Sequence, residues 1–281
     1  MARSERDKSK KRPLAVVTGA SSGIGLEYAE RLAVMGYDPV VVARRRSRLD
    51  SVASQLRGDC GVAVEVMAAD LTRSAELRAV EEKVRTSLRL EMLVNAAGFG
   101  TIGDFTAVDV DRVEAEIALN VTALVRLTRA AAPGMAARRK GAIINVSSMA
   151  SFQPNPFFAT YGASKAYVTS FTEALAAELG EQDVYLQALC PGPVRTEFGE
   201  VAGMSGDVFP SFAYSSASQV VDASVRAMET RDVICVPGAV ESMLVTVIDM
   251  LPRWFVRRAS MGLTRRMLGD RRAQTPTFSE Y

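Results

Sequence analysis

The sequence of 281 residues contains no histidine. This absence excludes Ser-His-Asp catalysis, Cys-His catalysis and every histidine-based metal site, and we expect no bound metal. Acid-base chemistry must therefore come from tyrosine, lysine, carboxylates or a cofactor. Cysteine is scarce too, since the chain has only Cys60, Cys190 and Cys235. These three lie far apart in sequence and form no CxxC pair. This usage is typical of a reducing compartment, and we expect a cytoplasmic protein.

Charge of one sign and long apolar runs are also missing. The formal net charge is only +2, with 34 basic and 32 acidic residues, so the balance gives no support for a nucleic-acid partner. No run of 18 apolar residues occurs, so no membrane-spanning segment is expected. Residues 1–12 are polar and mostly charged, which predicts a disordered lead-in without a signal peptide core.

The 48% of apolar residues is arranged in alternating strand and helix patterns. Strands are predicted at 14–18, 39–43, 62–66, 92–95, 142–146, 185–190 and 234–236. Helices are predicted near 24–35, 48–56, 75–88, 110–138, 161–179 and 218–230. Repeated βα units predict an α/β fold, with a single doubly wound parallel sheet of about seven strands and helices on both faces. We expect one Rossmann-type domain over 13–238, extended by helices over 239–281.

A glycine-rich turn separates the first predicted strand from the first helix. Its candidate cofactor-binding residues are Gly19, Ser21, Ser22, Gly23, Ile24 and Gly25. Glycines permit a tight turn and let backbone N–H groups approach a pyrophosphate at a helix N-terminus. A plain tight turn is the alternative, but the position between a strand and a helix favours a nucleotide.

The second strand ends in three arginines at 44–46, with no acid beside them. Enzymes that use NAD usually place a carboxylate here for the ribose 2′-hydroxyl, whereas Arg44 and Arg45 suit the 2′-phosphate of NADP(H). We therefore favour NADP(H) over NAD(H); the alternative is a solvated, basic start to the next helix. Asp70, after the third strand, is a candidate acceptor for the adenine amino group or a helix N-cap.

Four polar residues are candidates for catalysis. Tyr161 and Lys165 lie four residues apart in a helical pattern and share a face, where an ammonium would lower the pKa of the phenol. Ser148 follows the fifth strand and can reach the same pocket, whereas the side chain of Ser147 should point away. Asn120 lies inside an apolar helix, where an amide needs a partner. The alternatives are a surface Tyr-Lys pair and an amide that satisfies a helix irregularity.

Taken together, these motifs resemble the short-chain dehydrogenase/reductase family across about residues 13–236. The matching pieces, in the order of the family, are the glycine turn, Asp70, Asn95–Gly98, Asn120, Ser148, Tyr161 with Lys165, and Pro191–Thr196. The family's usual second asparagine is Ala96 here, a position that we expect to contribute backbone and strand packing. The stretches 43–45, 95–100 and 190–198 resemble most the 17β-hydroxysteroid and 3-ketoacyl reductase types.

The resemblance implies a role for each matching residue. Tyr161 would be the acid/base, Ser148 would polarise the carbonyl, Lys165 would bind the nicotinamide ribose, and Asn120 would hold a water beside Lys165. Val194 and Thr196 would meet the nicotinamide carboxamide. The remaining cofactor-binding residues that it implies are Leu71, Asn95, Ala96, Ala97, Gly98, Pro191 and Gly192. The implied reaction is hydride transfer between NADP(H) and a ketone or secondary alcohol, and the implied assembly is a homodimer or homotetramer.

Two segments bear on the substrate. Residues 197–217 combine glycines with Phe198, Val201, Met204, Phe209 and Phe212, which suits a mobile lid over a lipophilic substrate; ordinary loop packing is the alternative. Phe152, Phe157 and Phe158 are candidates for the pocket wall. Residues 243–272 are apolar and then arginine-rich, and we favour a subunit contact or pocket cover over a membrane contact. Two other functions stay open: a cofactor-binding regulator without turnover and a peripheral membrane protein.

Overall fold

The computed structural model describes residues 11–204 and 211–268 of the chain. All seven strands are parallel and lie in one sheet in the order β3-β2-β1-β4-β5-β6-β7. The strands are β1 (Leu14–Thr18), β2 (Asp38–Ala43), β3 (Glu65–Ala68), β4 (Leu90–Asn95), β5 (Gly141–Val146), β6 (Val184–Leu189) and β7 (Ile234–Cys235). The strand order reverses between β1 and β4, and this switch point opens a crevice at the carboxyl ends of the strands.

Ten helices surround the sheet in the described part of the chain. They are α1 (Gly23–Val34), α2 (Arg46–Cys60), α3 (Ser74–Thr86), α4 (Val110–Ile117), α5 (Leu124–Arg138), α6 (Ala159–Gly180), α7 (Phe198–Val201), α8 (Ala217–Thr230), α9 (Ala239–Met250) and α10 (Arg253–Leu268). The predicted doubly wound parallel sheet with helices on both faces is confirmed. None of the helices in the described ranges is long and apolar enough to cross a membrane.

Two apolar cores sandwich the sheet. One core packs α1, α2 and α8 against one face, with Tyr28, Leu32 and Leu49 fully buried. The other packs α3 and α5 against the opposite face, with Leu127 and Met135 at its centre. Because both faces are covered, the strands read as continuous apolar runs; every residue of β1 is buried, for example.

The structure corrects the predicted secondary structure at two places. The third strand was predicted from the alternation of Val62, Val64 and Val66, but β3 begins at Glu65, and the first two valines are buried in the loop before it. The predicted helix over 110–138 is continuous but contains a π-helical stretch, Ala118–Ala123, between α4 and α5. The extra residue per turn in such a stretch is common at functional sites, and Asn120 lies within it.

Several predicted segments reach outside the described residues. They are most of the N-terminal lead-in, Gly206 and Phe209 of the predicted lid, and the end of the C-terminal extension with Arg271 and Arg272.

Candidate active site

A single cavity of about 1920 Å³ lies at the carboxyl ends of the strands. Nearly all predicted site residues line it. From the nucleotide end these are Gly19, Ser21, Ser22, Gly23, Ile24, Gly25, Arg44, Arg45, Asp70, Leu71, Ala96, Ala97 and Gly98. From the chemical end they are Ser148, Tyr161, Lys165, Pro191, Gly192, Val194 and Thr196. Ligand sites usually measure about 300–1000 Å³, so this volume accommodates a dinucleotide together with a substrate.

The glycine turn opens the N-terminus of α1 towards the cavity. Gly19 and Gly23 have φ angles of +70° and +57°, which favour glycine, and a Cβ on Gly25 would lie 2.4 Å from the Gly19 carbonyl oxygen. The side chain of Ser22 makes no capping hydrogen bond, and the first turn of α1 carries no acid. The helix N–H groups and the positive end of the helix dipole are thus left for an anionic group, and the turn fits a pyrophosphate.

The arginine cluster after β2 differs from the expectation, because an acid reaches it from a distant loop. Arg45 donates to Glu197 at 2.9 Å and to the hydroxyls of Ser21 and Ser22 at 3.1 Å each. Arg48 also pairs with Glu197, at 2.5 Å, and the two arginines hold the pKa of Glu197 below its usual range. Arg44 is exposed and makes no ion pair with any residue of the described ranges. Arg44 is therefore the arginine that is free to meet a phosphate.

Asp70 lies at the far side of the nucleotide end. Its carboxylate accepts hydrogen bonds from the backbone N–H of Thr72 at 3.0 Å and the Thr72 hydroxyl at 2.7 Å. The N-cap of α3 is Arg73, so Asp70 closes a turn before the helix and is not the helix cap that we considered. It lines the cavity, and the adenine role stays a prediction.

The backbone that follows β4 is held in place by a side chain at the end of β1. The Thr18 hydroxyl accepts from the backbone N–H groups of Ala96 and Ala97 at 3.0 and 3.1 Å, which fixes the strand end beside the glycine turn. Ala96 packs against the core, in agreement with the expected backbone and packing role. Asn95 does not line the cavity, because its buried amide donates to Thr128 and Asn145; its contact with the cofactor stays a prediction.

Tyr161 and Ser148 face each other across the cavity floor. The Ser148 hydroxyl is hydrogen-bonded to the Tyr161 phenol and also accepts from the Ala150 N–H at 3.1 Å. Ser147 points away, as expected, and its hydroxyl contacts Thr169 at 2.7 Å. One carbonyl oxygen can therefore meet the Ser148 and Tyr161 hydroxyls together.

Lys165 is 5% exposed and lies one turn after Tyr161 on α6. Its Nζ donates to the Val146 carbonyl at 2.8 Å and stands 5.6 Å from the centroid of the Tyr161 ring. Burial lowers the pKa of Lys165 to about 8, so the side chain is mostly an ammonium at pH 7. The expectation that this ammonium lowers the pKa of Tyr161 is not met, because burial dominates and raises it. The phenol is held protonated.

Asn120 connects the π-helical stretch to the loop after β4 by hydrogen bonds. Its amide donates to the Phe99 carbonyl at 2.8 Å and to Ser164 at 3.1 Å, and its oxygen accepts from the Phe99 N–H at 3.2 Å. A Cβ on Gly98 would lie 2.9 Å from Asn120 Oδ1 and 3.5 Å from Lys165 Nζ, so both groups converge on this glycine. The partners of Asn120 are thus Phe99 and Ser164 and not the backbone of its own helix, and its side chain lies beside Lys165, behind the cavity wall.

An aromatic cluster covers the phenol. The Phe158 ring stacks on Tyr161 with centroids 4.3 Å apart, and Phe198 from the predicted lid lies 5.2 Å from Tyr161. Phe158 lines the cavity as predicted, whereas Phe152 and Phe157 do not. The cluster keeps water from the phenol and explains its raised pKa.

The comparisons with known proteins agree with this geometry. Residues 13–204 match the family model described as short chain dehydrogenase. The chain belongs to the short-chain dehydrogenase family.

Three proteins illustrate the likeness. The first is a short-chain dehydrogenase from Sphingobium yanoikuyae, solved in complex with NADPH, with 37% identity, a TM-score of 0.78, and 94% of this chain and 98% of that chain covered. The chain is 29% identical to the 17-beta-hydroxysteroid dehydrogenase type 3 of Danio rerio, with 86% and 78% covered. It is 33% identical to the very-long-chain 3-oxoacyl-CoA reductase of Anas platyrhynchos, with 69% and 63% covered.

Family membership gives the site its chemistry. A bound nicotinamide supplies or accepts the hydride. Tyr161, protonated and next to Ser148, is placed to donate a proton to a carbonyl oxygen, and Ser148 polarises the same oxygen. The predicted assignment of this short-chain dehydrogenase as an alcohol/ketone oxidoreductase is confirmed.

Sequence reasoning missed a buried cluster beneath the catalytic residues. Glu116 is fully buried; Thr101 lies beside its carboxyl group, but neither oxygen makes a hydrogen bond of ordinary geometry in the described ranges. Burial raises its pKa to about 7, against the opposing influence of Thr101, Arg112 and Lys165. Glu116 and Asn120 are four residues apart and both are buried, so the helical spacing places them on the same inward side.

Proposed function

We propose that this short-chain dehydrogenase reduces bulky, lipophilic ketones to secondary alcohols with NADPH as the hydride donor. The observation that carries the proposal is the single cavity that joins the glycine turn, the arginine cluster and the Ser148–Tyr161 pair to an apolar wall. Hydride donor, proton donor and substrate can thus meet in one continuous space.

The preference for NADP(H) rests on charge at the end of β2. Arg44 and Arg45 line the cavity where a ribose 2′ substituent would lie, and Arg44 is free to pair with a phosphate. Glu197 neutralises part of the positive charge of the cluster. Arg45, which pairs with Glu197, also donates to Ser21 and so lies against the glycine turn. The NADPH complex of the Sphingobium relative supports this preference.

The substrate class follows from the wall of the chemical end. Its apolar lining comprises Ile102, Leu119, Phe198, Val201, Met204, Leu244 and Ile248. Residues of α7 and α9 thus enclose a space that suits a steroid-like or 3-ketoacyl-like compound. The names of the Danio and Anas relatives point to the same two compound classes.

A panel of ketones assayed by NADPH oxidation tests the proposal. Bulky apolar ketones should be turned over with NADPH in preference to NADH. The double variant Arg44→Ala/Arg45→Ala should lose about ten- to a hundredfold in NADPH affinity, because a charge-assisted hydrogen bond contributes roughly 1.5–3 kcal/mol. NADH affinity should hardly change.

Arg46→Ala is the matched control, because Arg46 is an exposed neighbour that lies outside the cavity lining. Equal loss of both cofactors in the double variant, or a wild-type preference for NADH, would contradict the NADP assignment. Absence of turnover across the panel would instead favour a cofactor-binding regulator.

We also propose a cytoplasmic homodimer or homotetramer. Support for assembly comes from α6, where Tyr167 is 46% exposed and stacks on Phe171 with centroids 5.9 Å apart. Support for the compartment comes from Cys60, Cys190 and Cys235, all of which are free thiols. Sedimentation of the purified chain tests the assembly, and a monomer at micromolar concentration would contradict it.

A further inference from the structure

Helix α9 carries apolar residues on two adjacent sides, one facing the cavity and one facing outward. Its inner face contributes Leu244 and Ile248 to the cavity wall. Its outer face carries Met243, Val247 and Met250, which are 70%, 42% and 80% exposed and do not line the cavity. A helix at the surface of a soluble protein normally turns polar residues outward, and this outer face has no partner among residues 11–204 and 211–268.

Exposed apolar side chains continue past the end of α9. The chain is extended at Leu251, α10 begins at Arg253, and Trp254 in its first turn is 60% exposed. We name Met243, Val247, Met250 and Trp254 the outer stripe. Leu251 and Phe255 extend its apolar surface to the rim of the cavity, since both line the cavity and both are exposed.

Positive charge flanks the outer stripe. Arg253, Arg257 and Arg258 on α10 are exposed, and none of them forms an ion pair within the described ranges. The nearest acid in sequence is Asp249 at the end of α9. An exposed tryptophan between apolar side chains and unpaired arginines matches the layering of a lipid surface, with acyl chains inside and anionic headgroups outside.

We propose that the outer stripe docks on an anionic membrane surface, with Trp254 at the level of the headgroups. The contact is peripheral, since no helix in the described ranges can span a bilayer. A second copy of this chain fits the patch less well, because a self-complementary contact centred on it would bring the same three unpaired arginines together.

Docking would place the cavity next to a lipid phase that can hold its substrate, a consequence that rests on the proposed function. Helices α9 and α10 form both the docking surface and one wall of the cavity, through Leu244 and Phe255. A ketone dissolved in the lipid could therefore enter beside α9 without crossing water. This arrangement suits the lipophilic substrate class.

Flotation of the full chain with vesicles tests the docking without any substrate. Wild type should float with vesicles of equal parts phosphatidylglycerol and phosphatidylcholine, and much less with phosphatidylcholine alone. Met243→Gln/Met250→Gln/Trp254→Gln should reduce the partition coefficient about tenfold or more, since the apolar burial that drives binding is removed. Arg257→Ala/Arg258→Ala should reduce it about 25-fold at low salt, because each arginine near such a surface contributes roughly fivefold.

The chain offers matched controls. Val34→Thr/Leu88→Gln removes apolar side chains that are 73% and 82% exposed elsewhere, and Arg78→Ala/Arg129→Ala removes two exposed helical arginines. Both control variants should float like wild type. Turnover of a water-soluble ketone in all variants shows that they are folded, and its absence in wild type would count against the proposed function alone.

Three results would overturn the docking. Wild type that stays with the soluble fraction in the presence of anionic vesicles contradicts it directly. Equal flotation of the stripe variant and wild type contradicts the assigned surface. The third result is a wild type that does not float and that sediments as an oligomer, together with a stripe variant that sediments as a monomer. That result would assign the surface to a second copy of the chain.

Discussion

Glu116 makes a quantitative prediction about how stability depends on pH. Its carboxyl group is buried, and burial raises its pKa from 4.5 to about 7 against the lowering influence of Thr101, Arg112 and Lys165. The folded state therefore holds a proton that the unfolded chain releases above about pH 4.5. Stability from this group is fully present below that pH, falls as the pH rises, and is lost above about pH 7.

The size of the loss follows from the shift. One pKa unit corresponds to 1.36 kcal/mol, so the whole loss amounts to roughly 3 kcal/mol. Glu116→Gln keeps the shape of the protonated side chain and cannot ionise. The variant should therefore gain about 3 kcal/mol relative to wild type between pH 4.5 and pH 7.5. Any constant cost of the buried amide cancels, because only the change with pH is compared.

Urea unfolding at a series of pH values measures this difference. With an m-value of about 3 kcal/mol/M, the midpoint of the variant should move upward relative to wild type by roughly 1 M across the range. Glu114→Gln, on the exposed side of the same helix, is the control and should show little relative change. A difference between Glu116→Gln and wild type that stays constant within about 1 kcal/mol would show that the carboxylate is paired and charged, and would refute the reasoning.

Four further changes test the site. Tyr161→Phe should lower kcat/KM by about 10²–10⁴-fold and leave the Kd for NADPH unchanged, because only the proton donor is lost; activity within tenfold of wild type would contradict its role. Lys165→Ala should raise that Kd and lower kcat, and an unchanged Kd would remove its ribose role. Glu197→Gln should tighten NADPH binding up to about fivefold and leave NADH binding unchanged, since exposed pairs contribute at most about 1 kcal/mol; titration of both cofactors decides. Gly25→Ala should destabilise the fold by a few kcal/mol in urea unfolding, because its Cβ would lie 2.4 Å from the Gly19 oxygen; an unchanged midpoint would show that the turn can relax.

The sequence was most informative where a function depends on neighbouring residues. The glycine turn, the i, i+4 spacing of Tyr161 and Lys165, and the alternation of strands and helices are local patterns, and the structure confirms the parallel sheet that they predict. The side chains of Ser147 and Ser148 point in opposite directions because successive residues of an extended strand face opposite sides. The sequence predicted their orientations for that reason.

Contacts between distant segments could not be predicted in this way. Arg45 and Glu197 are 152 residues apart, and their ion pair depends on the path of the loop after β6. The inward turn of Asn95 depends on Asn145 of the neighbouring strand, 50 residues away. The π-helical stretch has no periodic signature, because one added residue in a long apolar helix leaves the pattern on either side intact.

The loop after β6 links the two ends of the cavity through adjacent residues. Glu197 binds Arg45 and Arg48 at the cofactor-selecting end, and the next residue, Phe198, packs against the Tyr161 ring at the chemical end. Phe198 also begins α7, which supplies part of the apolar wall. The arginine cluster and the proton donor are therefore both contacted by one short segment. Strand and helix patterns place this segment near the cavity, but only the ion pair and the ring contact show what it does there.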